Sequence, residues 1–272
     1  MSQNQGRIQF RILGCGSSGG VPRINGDWGV CDPEEKRNRR SRCSVLVRKW
    51  DDPSGDPTQI LIDTSPDMRE QLLAANVKYL DAVIYTHDHA DQTHGIDDLR
   101  AIAYTNKIRL PVHMDAVTGA SLMKRFAYCF YGGGGYPSIL DPQLDVEVGT
   151  SLNIDGRGGN ISILPLDQDH GRIRSLGFRV GSIAYCNDTV GLPDPTLDAL
   201  QGVDTLIVDA LRYTEHPSHA HLDLALSWID SVKPKRAILT NLHIDMDYQT
   251  LCRELPVGVM PAYDGMTLEG DL

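Results

Sequence analysis

The sequence predicts an α+β fold in which two β-sheets pack face to face and helices cover their outer sides. Short runs with the composition and alternation of β-strands recur along the whole chain, separated by turn residues. Helical periodicity appears in fewer segments, and these recur between the later strands. A pair of stacked sheets flanked by helices satisfies both observations, and a doubly wound parallel sheet is the alternative architecture.

Each predicted element rests on its own pattern of residues. Strands are predicted over residues 7–13, 44–49, 59–63, 82–86, 160–165, 177–180, 182–186, 205–208 and 237–240. Helices are predicted over residues 67–75, 96–104, 116–128 and 222–231. The strands are short apolar or alternating runs bounded by turns such as DDPSGDP, and Pro66 and Asp67 suit the start of the first helix. Because the sequence shows no linker and no internal repeat, residues 1–272 are predicted to form one domain.

The composition is that of an ordinary soluble protein and argues against several functions. Of the 272 residues, 41% are hydrophobic and 23% are charged, which suffices for a sizeable core. The formal net charge of −10 argues against a nucleic-acid polymer as partner, but it leaves a small phosphate-containing substrate open. No apolar stretch approaches the ~18 residues that span a bilayer, and the first residues lack a signal pattern. We therefore expect a cytoplasmic protein with six reduced cysteines and no membrane partner, and a homodimer is left open.

The segment THDHADQTHG, residues 86–95, carries the strongest functional signal. It directly follows an apolar run that is predicted to be a buried strand. His87, His89 and Asp91 are spaced two residues apart, so an extended segment projects the three side chains to the same side. Two imidazoles and a carboxylate at a strand end are suitable ligands for a borderline divalent cation. The pattern therefore predicts a metal site.

Four later strands also lead to side chains that can bind metal. The side chains at these strand ends are His170, Asp188, Asp209, and Asn241 with His243. Groups just beyond strand ends are held by a rigid scaffold while they face solvent. Because five strand ends share this property, we predict that they meet at one metal centre. Taken singly, each residue could also be an ordinary loop or capping residue.

Together these segments resemble the metallo-β-lactamase superfamily, whose signature is H-x-H-x-D-H. The superfamily order of an HxHxD loop, a later lone histidine, a later aspartate and a C-terminal histidine extends over nearly the full chain. The segments GCGSSGGVP, LIDTSPD, NDTVGLP and AYDGM are similar to the phosphodiesterase branch typified by the phosphoribosyl cyclic phosphodiesterase. The resemblance implies a four-layer αββα sandwich with a dinuclear metal site between the sheet edges.

The resemblance also implies a role for individual residues. It assigns His87, His89 and His170 to the first metal. Asp188 resembles the carboxylate that bridges both metals. Asp91 resembles a ligand of the second metal that also orients the attacking water.

Further residues are expected to support catalysis around these ligands. His219, in HPSHAHLD, resembles the histidine that some phosphodiesterases place beside the leaving group, with His221 as the alternative. Asp63, at the end of a predicted strand, is a candidate for fixing a ligand imidazole, and it could also be a turn carboxylate. Gln92 and Asn241 are expected to lie beside the ligands.

The sequence departs from the superfamily pattern at two positions that affect the second metal. Gln92 replaces the last histidine of the signature and Asn241 replaces the C-terminal histidine. Either His94 and His243, two positions further on, supply the missing ligands, or the second site is weak, altered or empty. A shift by two positions moves the Cα atom by about 6–7 Å, which favours the altered site. We expect Zn²⁺ at the first site and Mn²⁺ or Zn²⁺ at the second, because amide oxygens are harder donors than imidazole.

The expected function is metal-assisted hydrolysis of a phosphodiester in a small nucleotide-like or ribosyl cyclic phosphate. A thioester or lactone hydrolase would use the same ligands, so it remains an alternative. The changes at Gln92 and Asn241 also leave open a protein that binds a nucleotide or metal without turnover. The basic run KRNRRSR, residues 36–42, is either an exposed turn or a segment that binds phosphate.

Overall fold

A computed structural model describes residues 7–272, which form fourteen β-strands and eight α-helices. The strands are β1 (Arg7–Gly14), β2 (Ser44–Trp50), β3 (Thr58–Ile62), β4 (Ala82–Ile84), β5 (Leu110–His113), β6 (Leu140–Gln143), β7 (Leu152–Ile154), β8 (Ile161–His170), β9 (Ile173–Val180), β10 (Ile183–Cys186), β11 (Thr205–Asp209), β12 (Arg236–Thr240), β13 (Val259–Pro261) and β14 (Thr267–Asp271). The helices are α1 (Met68–Ala74), α2 (Ala90–Thr93), α3 (Leu99–Asn106), α4 (Ala116–Arg125), α5 (Ala127–Tyr131), α6 (Asp194–Leu200), α7 (Leu222–Val232) and α8 (Tyr248–Glu254).

The strands form two seven-stranded mixed sheets. The first has the order β14-β1-β2-β3-β4-β5-β6 and the second the order β13-β12-β11-β10-β9-β8-β7. In the first sheet β3 to β6 run parallel, and in the second β10 to β13 run parallel. The remaining neighbours in each sheet pair antiparallel. The predicted α+β sandwich is confirmed, and the single doubly wound sheet is not the fold.

Apolar side chains form three layers, one between the sheets and one under the helices on each outer face. On β3, Ile60 and Ile62 face the opposite sheet, whereas Leu61 packs under helices. On β11, Ile207 joins the layer between the sheets and Leu206 packs outwards. This alternation follows from the two-residue period of a strand that is buried on both faces. Burying one such side chain contributes about 1.5–3 kcal/mol, so the strands form a rigid support for the loops at their ends.

Helices cover the outer face of each sheet. Side chains of α1, α3, α4 and α5 pack on the first sheet, and those of α6, α7 and α8 pack on the second. The layers therefore follow the order helices, sheet, sheet, helices. None of the helices within residues 7–272 combines the length and apolarity needed to cross a membrane.

Three predicted elements differ from the observed ones near the candidate site. The predicted helix 116–128 is two helices, because the backbone at Phe126 leaves the helical region with φ −119° and ψ 36°. The predicted strand 160–165 continues to His170, so this histidine ends β8 instead of following it in a loop. The segment after β4 is extended only as far as His89, because α2 begins at Ala90 and carries Asp91.

Candidate metal centre

Five of the sequence-predicted site residues lie at or just beyond the carboxyl ends of strands from both sheets. His87 lies three residues beyond the end of β4 in the first sheet. In the second sheet, His170 ends β8 and Asp188 lies two residues beyond β10. Asp209 ends β11, and Asn241 directly follows β12. The two sheets thus bring residues that are far apart in sequence to one edge of the sandwich.

Three histidines form the centre of this group. The ring centroids lie 4.6 Å apart for His87 and His89, and 5.0 Å from His170 to each of the other two. The Nε2 atom of His170 is 3.2 Å from Nδ1 of His89. Nitrogen ligands around a tetrahedral Zn²⁺ lie about 3.3 Å apart, given a Zn–N bond of about 2.0–2.1 Å. The imidazoles are therefore spaced to bind one cation.

Hydrogen bonds leave the inner nitrogens of two histidines available as ligands. The hydroxyl of Thr86 donates to Asp63 (2.8 Å) and is 2.9 Å from Nδ1 of His87, so it can accept the Nδ1 proton. This arrangement leaves a lone pair on Nε2 of His87, which is buried without any hydrogen-bond partner among the described atoms. Nδ1 of His170 likewise bonds the backbone carbonyl of Ser218 at 2.7 Å, which leaves its Nε2 facing Nδ1 of His89. An unpartnered buried nitrogen beside two further imidazoles fits a divalent metal.

Burial keeps the imidazoles of His87 and His170 in the uncharged form that binds metal. Burial, followed by the nearby His170 and His89, lowers the pKa of His87 well below its usual value. Burial and the charge of His219 lower the pKa of His170 to about 4. Ligand histidines must be deprotonated at the nitrogen that binds the cation, so no proton has to be displaced near neutral pH.

The opposite side of the centre is built from carboxylates and amides. Asp188 accepts hydrogen bonds from Asn187 (2.6 Å), Gln92 (2.9 Å) and Asn241 (3.1 Å). Burial raises the pKa of Asp188 well above its usual value; His219 opposes this shift and Asp91 adds to it. The amides of Gln92 and Asn241 thus satisfy the oxygens of Asp188. The buried Oε1 of Gln92 has no partner among the described atoms, which leaves an oxygen free for a hard cation.

His219 lies between the two sides and is oriented by Asp209. Its Nδ1 is 2.9 Å from an Asp209 oxygen and 3.5 Å from Asp188, and its ring centroid is 4.8 Å from that of His170. Burial lowers the pKa of His219, but the charge of Asp209 and its hydrogen bond, followed by Asp188 and Asp91, raise it to about 9. Because Asp209 engages Nδ1, Nε2 is the nitrogen that can exchange a proton with a bound molecule.

Several predicted site residues lie outside the two groups with metal-ligand spacing, which among residues 7–272 are His87–His89–His170 and His170–Asp188–His219. His94 is exposed, and its Nε2 is 3.1 Å from Arg125. His243 pairs with Asp245 at 2.9 Å and with Arg23. His221 caps the amino end of α7. The structure does not bring these three histidines into the cluster.

Asp91 and Asp63 approach the centre in different ways. Asp91 projects from α2, 3.4 Å from the amide nitrogen of Gln92, and its charge raises the pKa of both Asp63 and Asp188. Asp63 reaches His87 only through Thr86, whose backbone N–H also donates to it at 2.8 Å. Burial raises the pKa of Asp63 to about 8. Asp63 therefore positions a ligand without contacting it.

Sequence reasoning overlooked Asn187 and Thr86. Asn187 holds Asp188 through its amide, and Thr86 connects Asp63 to His87. Each is the residue directly before a predicted ligand, and adjacency in NDT and THDH is the signal that could have identified them. Their side chains act through hydrogen bonds to neighbours, which the spacing of ligands does not reveal.

Backbone geometry turns three of these residues towards the centre. Asp63, Asp188 and Asn241 have φ values of 61°, 52° and 63°, in the left-handed region. For residues other than glycine such conformations cost of order 1–3 kcal/mol and persist where surrounding contacts enforce them. Asp and Asn tolerate the region best, because their short polar side chains bond locally. The carboxylates and amide are thus fixed at the strand ends by their own turns.

Comparison with known proteins agrees with this geometry. The family model described as a beta-lactamase superfamily domain matches residues 58–244. A solved diphosphatase from the PhnP family is 34% identical, covers 98% of each chain and superposes with a TM-score of 0.87. The metallo-β-lactamase fold protein YhfI from Bacillus subtilis, at 17% identity, shares the fold with a TM-score of 0.72 over 98% of this chain and 100% of its own.

A curated relative carries a name that refers to a different activity. An octanoyltransferase from Porphyromonas gingivalis is 30% identical over 261 residues, covering 94% of this chain. The chain spans about half the length of this relative, 50%. The resemblance in the sequence motifs is confirmed by the family match and by the PhnP-family structure. The chain belongs to the metallo-β-lactamase superfamily of metal-dependent hydrolases.

Proposed function

We propose that this protein is a metal-dependent phosphodiesterase that acts on a small nucleotide-like or ribosyl cyclic phosphate. The observation that carries the proposal is the buried, unpartnered Nε2 of His87 beside His89 and His170, with the Asp209–His219 pair next to them. The similarity to a diphosphatase of the PhnP family supports phosphorus chemistry over other hydrolyses on this scaffold.

The first metal would be held by His87, His89 and His170, and the second by Asp188 and Asp91. When bound, a divalent cation lowers the pKa of its water from 15.7 to about 7 and offsets charge on the phosphate. Three imidazoles suit Zn²⁺, whereas carboxylate and amide oxygens on the other side suit Mn²⁺ as well as Zn²⁺. Asp63, through Thr86, would keep the ligand nitrogen of His87 directed inwards.

His219 would transfer a proton to the oxygen that leaves phosphorus. Asp209 holds its Nδ1 at 2.9 Å, which fixes the ring and stabilises its protonated form. Protonation of a leaving alkoxide by a positioned side chain contributes typically 10²–10⁴-fold. Asp91, which projects from α2 beside Gln92, would accept a proton from the attacking water. The two roles need residues on opposite sides of the scissile phosphate.

The test is turnover of three substrate classes by the same preparation. Bis(p-nitrophenyl) phosphate, a β-lactam and a thioester are assayed with Zn²⁺ and with Mn²⁺, and bound metal is counted by elemental analysis. We expect cleavage of the phosphodiester that chelation abolishes and metal restores. Tight nucleotide monophosphate binding without cleavage under any divalent cation would instead support a binding protein.

A thioester hydrolase is the second candidate. The name of the curated relative, octanoyltransferase, concerns an acyl group, although this chain spans only half of that protein. The same ligands would serve acyl transfer to water, so only substrate choice separates the two proposals. Faster cleavage of an octanoyl thioester than of any phosphodiester would favour this candidate. It remains a prediction that the protein binds neither a nucleic-acid polymer nor a membrane. A homodimer also remains a prediction.

A further inference from the structure

His216 lies beside the candidate metal centre and has no part in the mechanism described so far. It precedes His219 by three residues in HPSHAHLD. The ring centroids of His216 and His219 are 5.0 Å apart, and the centroid of His170 is 4.8 Å from that of His219. The ring of His219 thus has two imidazole neighbours, and only His170 belongs to the metal centre. His216 is the neighbour that remains to be explained.

The loop that carries His216, between β11 and α7, is held by its own hydrogen bonds. The N–H of Leu222 donates to the carbonyl of Arg212 at 2.9 Å, which closes the base of the loop. Inside the loop, the guanidinium of Arg212 donates to the carbonyls of Thr214 and Glu215, at 3.1 and 2.6 Å. These two residues directly precede His216. The ring of His216 is therefore placed next to His219 by a closed loop.

Contacts with Ser218 determine which nitrogen of His216 carries the proton. Nδ1 of His216 is 3.3 Å from both the backbone N–H and the hydroxyl of Ser218. A backbone N–H can only donate, so Nδ1 is the acceptor and the proton of the neutral ring lies on Nε2. Burial, followed by the charges of His219 and Arg212, lowers the pKa of His216 and so favours the neutral ring.

The Nε2–H group of His216 is a donor without a partner in the protein. The side chain is half-buried, and among residues 7–272 its hydrogen bonds involve Nδ1 alone. The other histidine of the pair, His219, is bonded through Nδ1 to Asp209 and also keeps Nε2 for a bound molecule. Two neighbouring imidazoles therefore each have one nitrogen available to the same ligand.

The spacing of these two rings suits a leaving group with two oxygens. His219 would protonate the oxygen that leaves phosphorus. With the ring centroids 5.0 Å apart, two hydrogen bonds of about 2.9 Å, one from each ring, can reach oxygens on adjacent carbon atoms. A sugar or another polyol presents such a pair of oxygens, whereas a plain alkyl group presents one.

We propose that His216 is a specificity-determining residue whose Nε2–H donates to a hydroxyl oxygen next to the ester oxygen that His219 protonates. The proposal rests on the proposed phosphodiesterase function and specifies the leaving group as a sugar or another polyol. A donor positioned for a hydroxyl selects against an analogue that lacks it, because the analogue leaves the donor unpaired. The metal centre would act on the phosphate, and His216 would select the alcohol that departs.

A structural role through Ser218 is the alternative, because the Ser218 carbonyl accepts a hydrogen bond from Nδ1 of His170 at 2.7 Å. Two amide variants separate the two roles. His216→Asn places an acceptor near the Nδ1 position and removes the Nε2 donor, whereas His216→Gln places a donor near the Nε2 position and removes the Nδ1 acceptor. His94→Asn, at an exposed position that bonds Arg125, is the control.

The test compares an ester that carries the hydroxyl with one that lacks it. Each metal-loaded full chain is assayed with bis(2-hydroxyethyl) phosphate and with dipropyl phosphate, in which a methyl group replaces each hydroxyl. Because both leaving groups of each ester are identical, every cleavage releases the same alcohol. The ratio of kcat/KM for the two esters is compared between proteins, which cancels their intrinsic reactivity. Calorimetry gives Kd for the products 2-hydroxyethyl phosphate and propyl phosphate, and Kd for Zn²⁺ is measured on chelator-treated protein.

We expect the preference for the hydroxyl ester to fall about fivefold in His216→Asn, since one neutral hydrogen bond contributes about this factor. The Kd ratio of the two products should fall likewise, while Zn²⁺ affinity stays that of the wild type. His216→Gln and the control should keep the preference. An unchanged preference in His216→Asn would overturn the proposal.

Two other outcomes have distinct meanings. Loss of the preference in His216→Gln but not in His216→Asn, together with weaker Zn²⁺ binding, would overturn the proposal and assign His216 to the support of Ser218 and His170. If no phosphodiester is cleaved, bis(p-nitrophenyl) phosphate included, the proposed function fails. The Kd ratio of the two monoesters then still shows whether His216 recognises the hydroxyl.

Discussion

The two sides of the metal centre differ in how their polar atoms are satisfied. On the histidine side, Nδ1 of His87 and Nδ1 of His170 are bonded to protein, Nε2 of His87 has no partner, and Nε2 of His170 meets only the ring of His89. On the carboxylate side, Asp188 already accepts three amide hydrogen bonds from neighbouring side chains. The histidine side is thus incomplete without a cation, and the carboxylate side is satisfied by protein groups.

This difference indicates that the two metal positions have unequal affinities. A cation at the histidine side gains three nitrogen ligands and displaces only the contact between His89 and His170. A cation at the carboxylate side has to compete with the amide hydrogen bonds of Gln92 and Asn241, although it also relieves the repulsion of Asp91, Asp188 and Asp209. The first site should therefore retain metal through purification more firmly than the second.

The largest expected effect follows from removing an imidazole on the histidine side. His89→Ala should lower metal content to the background level and phosphodiester cleavage by at least about 10³-fold, because two ligands bind a cation far more weakly than three. Elemental analysis and turnover of bis(p-nitrophenyl) phosphate check this. His94→Ala is the matched control, since His94 is exposed and bonds Arg125. Metal retained in the first variant, or lost in the second, would contradict the assignment.

The next effect concerns His219, which lies between the two sides. His219→Asn should slow hydrolysis of an alkyl phosphodiester by about 10²-fold and that of bis(p-nitrophenyl) phosphate much less, because nitrophenolate leaves without a proton. Since Asp209 raises the pKa of His219 to about 9, wild-type kcat for the alkyl ester should fall as pH rises through that region. The variant should lack this alkaline limb. The same limb in both proteins would exclude His219 as the proton donor.

A smaller effect is expected from the residue behind the histidine side. Asp63→Asn preserves the shape and tolerates the φ of 61°, but it replaces one accepting oxygen by an NH₂ group, which cannot accept the hydrogen bond from the Thr86 N–H or hydroxyl. The ring of His87 then loses its fixed orientation, and Zn²⁺ affinity should fall about 10–100-fold. Competition with a chromophoric chelator measures Kd. Leu73→Gln, at an exposed position of α1, serves as the control. Unchanged Zn²⁺ affinity would show that Asp63 does not position His87 and is only a turn residue.

Much of this architecture was accessible from sequence because it follows from local patterns. The apolar runs ending in His87 and Asp209 predicted strands, and the two-residue spacing predicted converging imidazoles. The predicted ends of elements were wrong where pairing with a neighbouring strand decides how far a strand extends. β8 extends to His170 because it pairs with β9 across its whole length, which no local pattern reveals.

The sequence singled out the basic run 36–42 but not which of its side chains are buried, for the same reason. Whether Arg40 is buried and Arg39 exposed depends on the loop after β1 and on the chain beyond β12, which meet only in the fold. The sequence also did not show in which direction the side chain of His94 points. One turn of α2 carries it away from the cluster and towards Arg125. The sequence posed two alternatives for the second metal, and the contacts favour the one without replacement histidines.

Placing histidines at positions 92 and 241, as in the superfamily pattern, would give the carboxylate side imidazole ligands like those of the histidine side. Gln92→His/Asn241→His removes two amide donors from Asp188 and supplies two imidazoles, so the second cation should bind about tenfold more tightly, with Zn²⁺ preferred over Mn²⁺. Calorimetric titration of Zn²⁺ into chelator-treated protein measures the Kd of each of the two sites. Gln92→Ala/Asn241→Ala, which removes the donors without adding ligands, is the comparison variant. If the wild type already binds two equivalents with equal affinity, the inequality of the two sides is wrong.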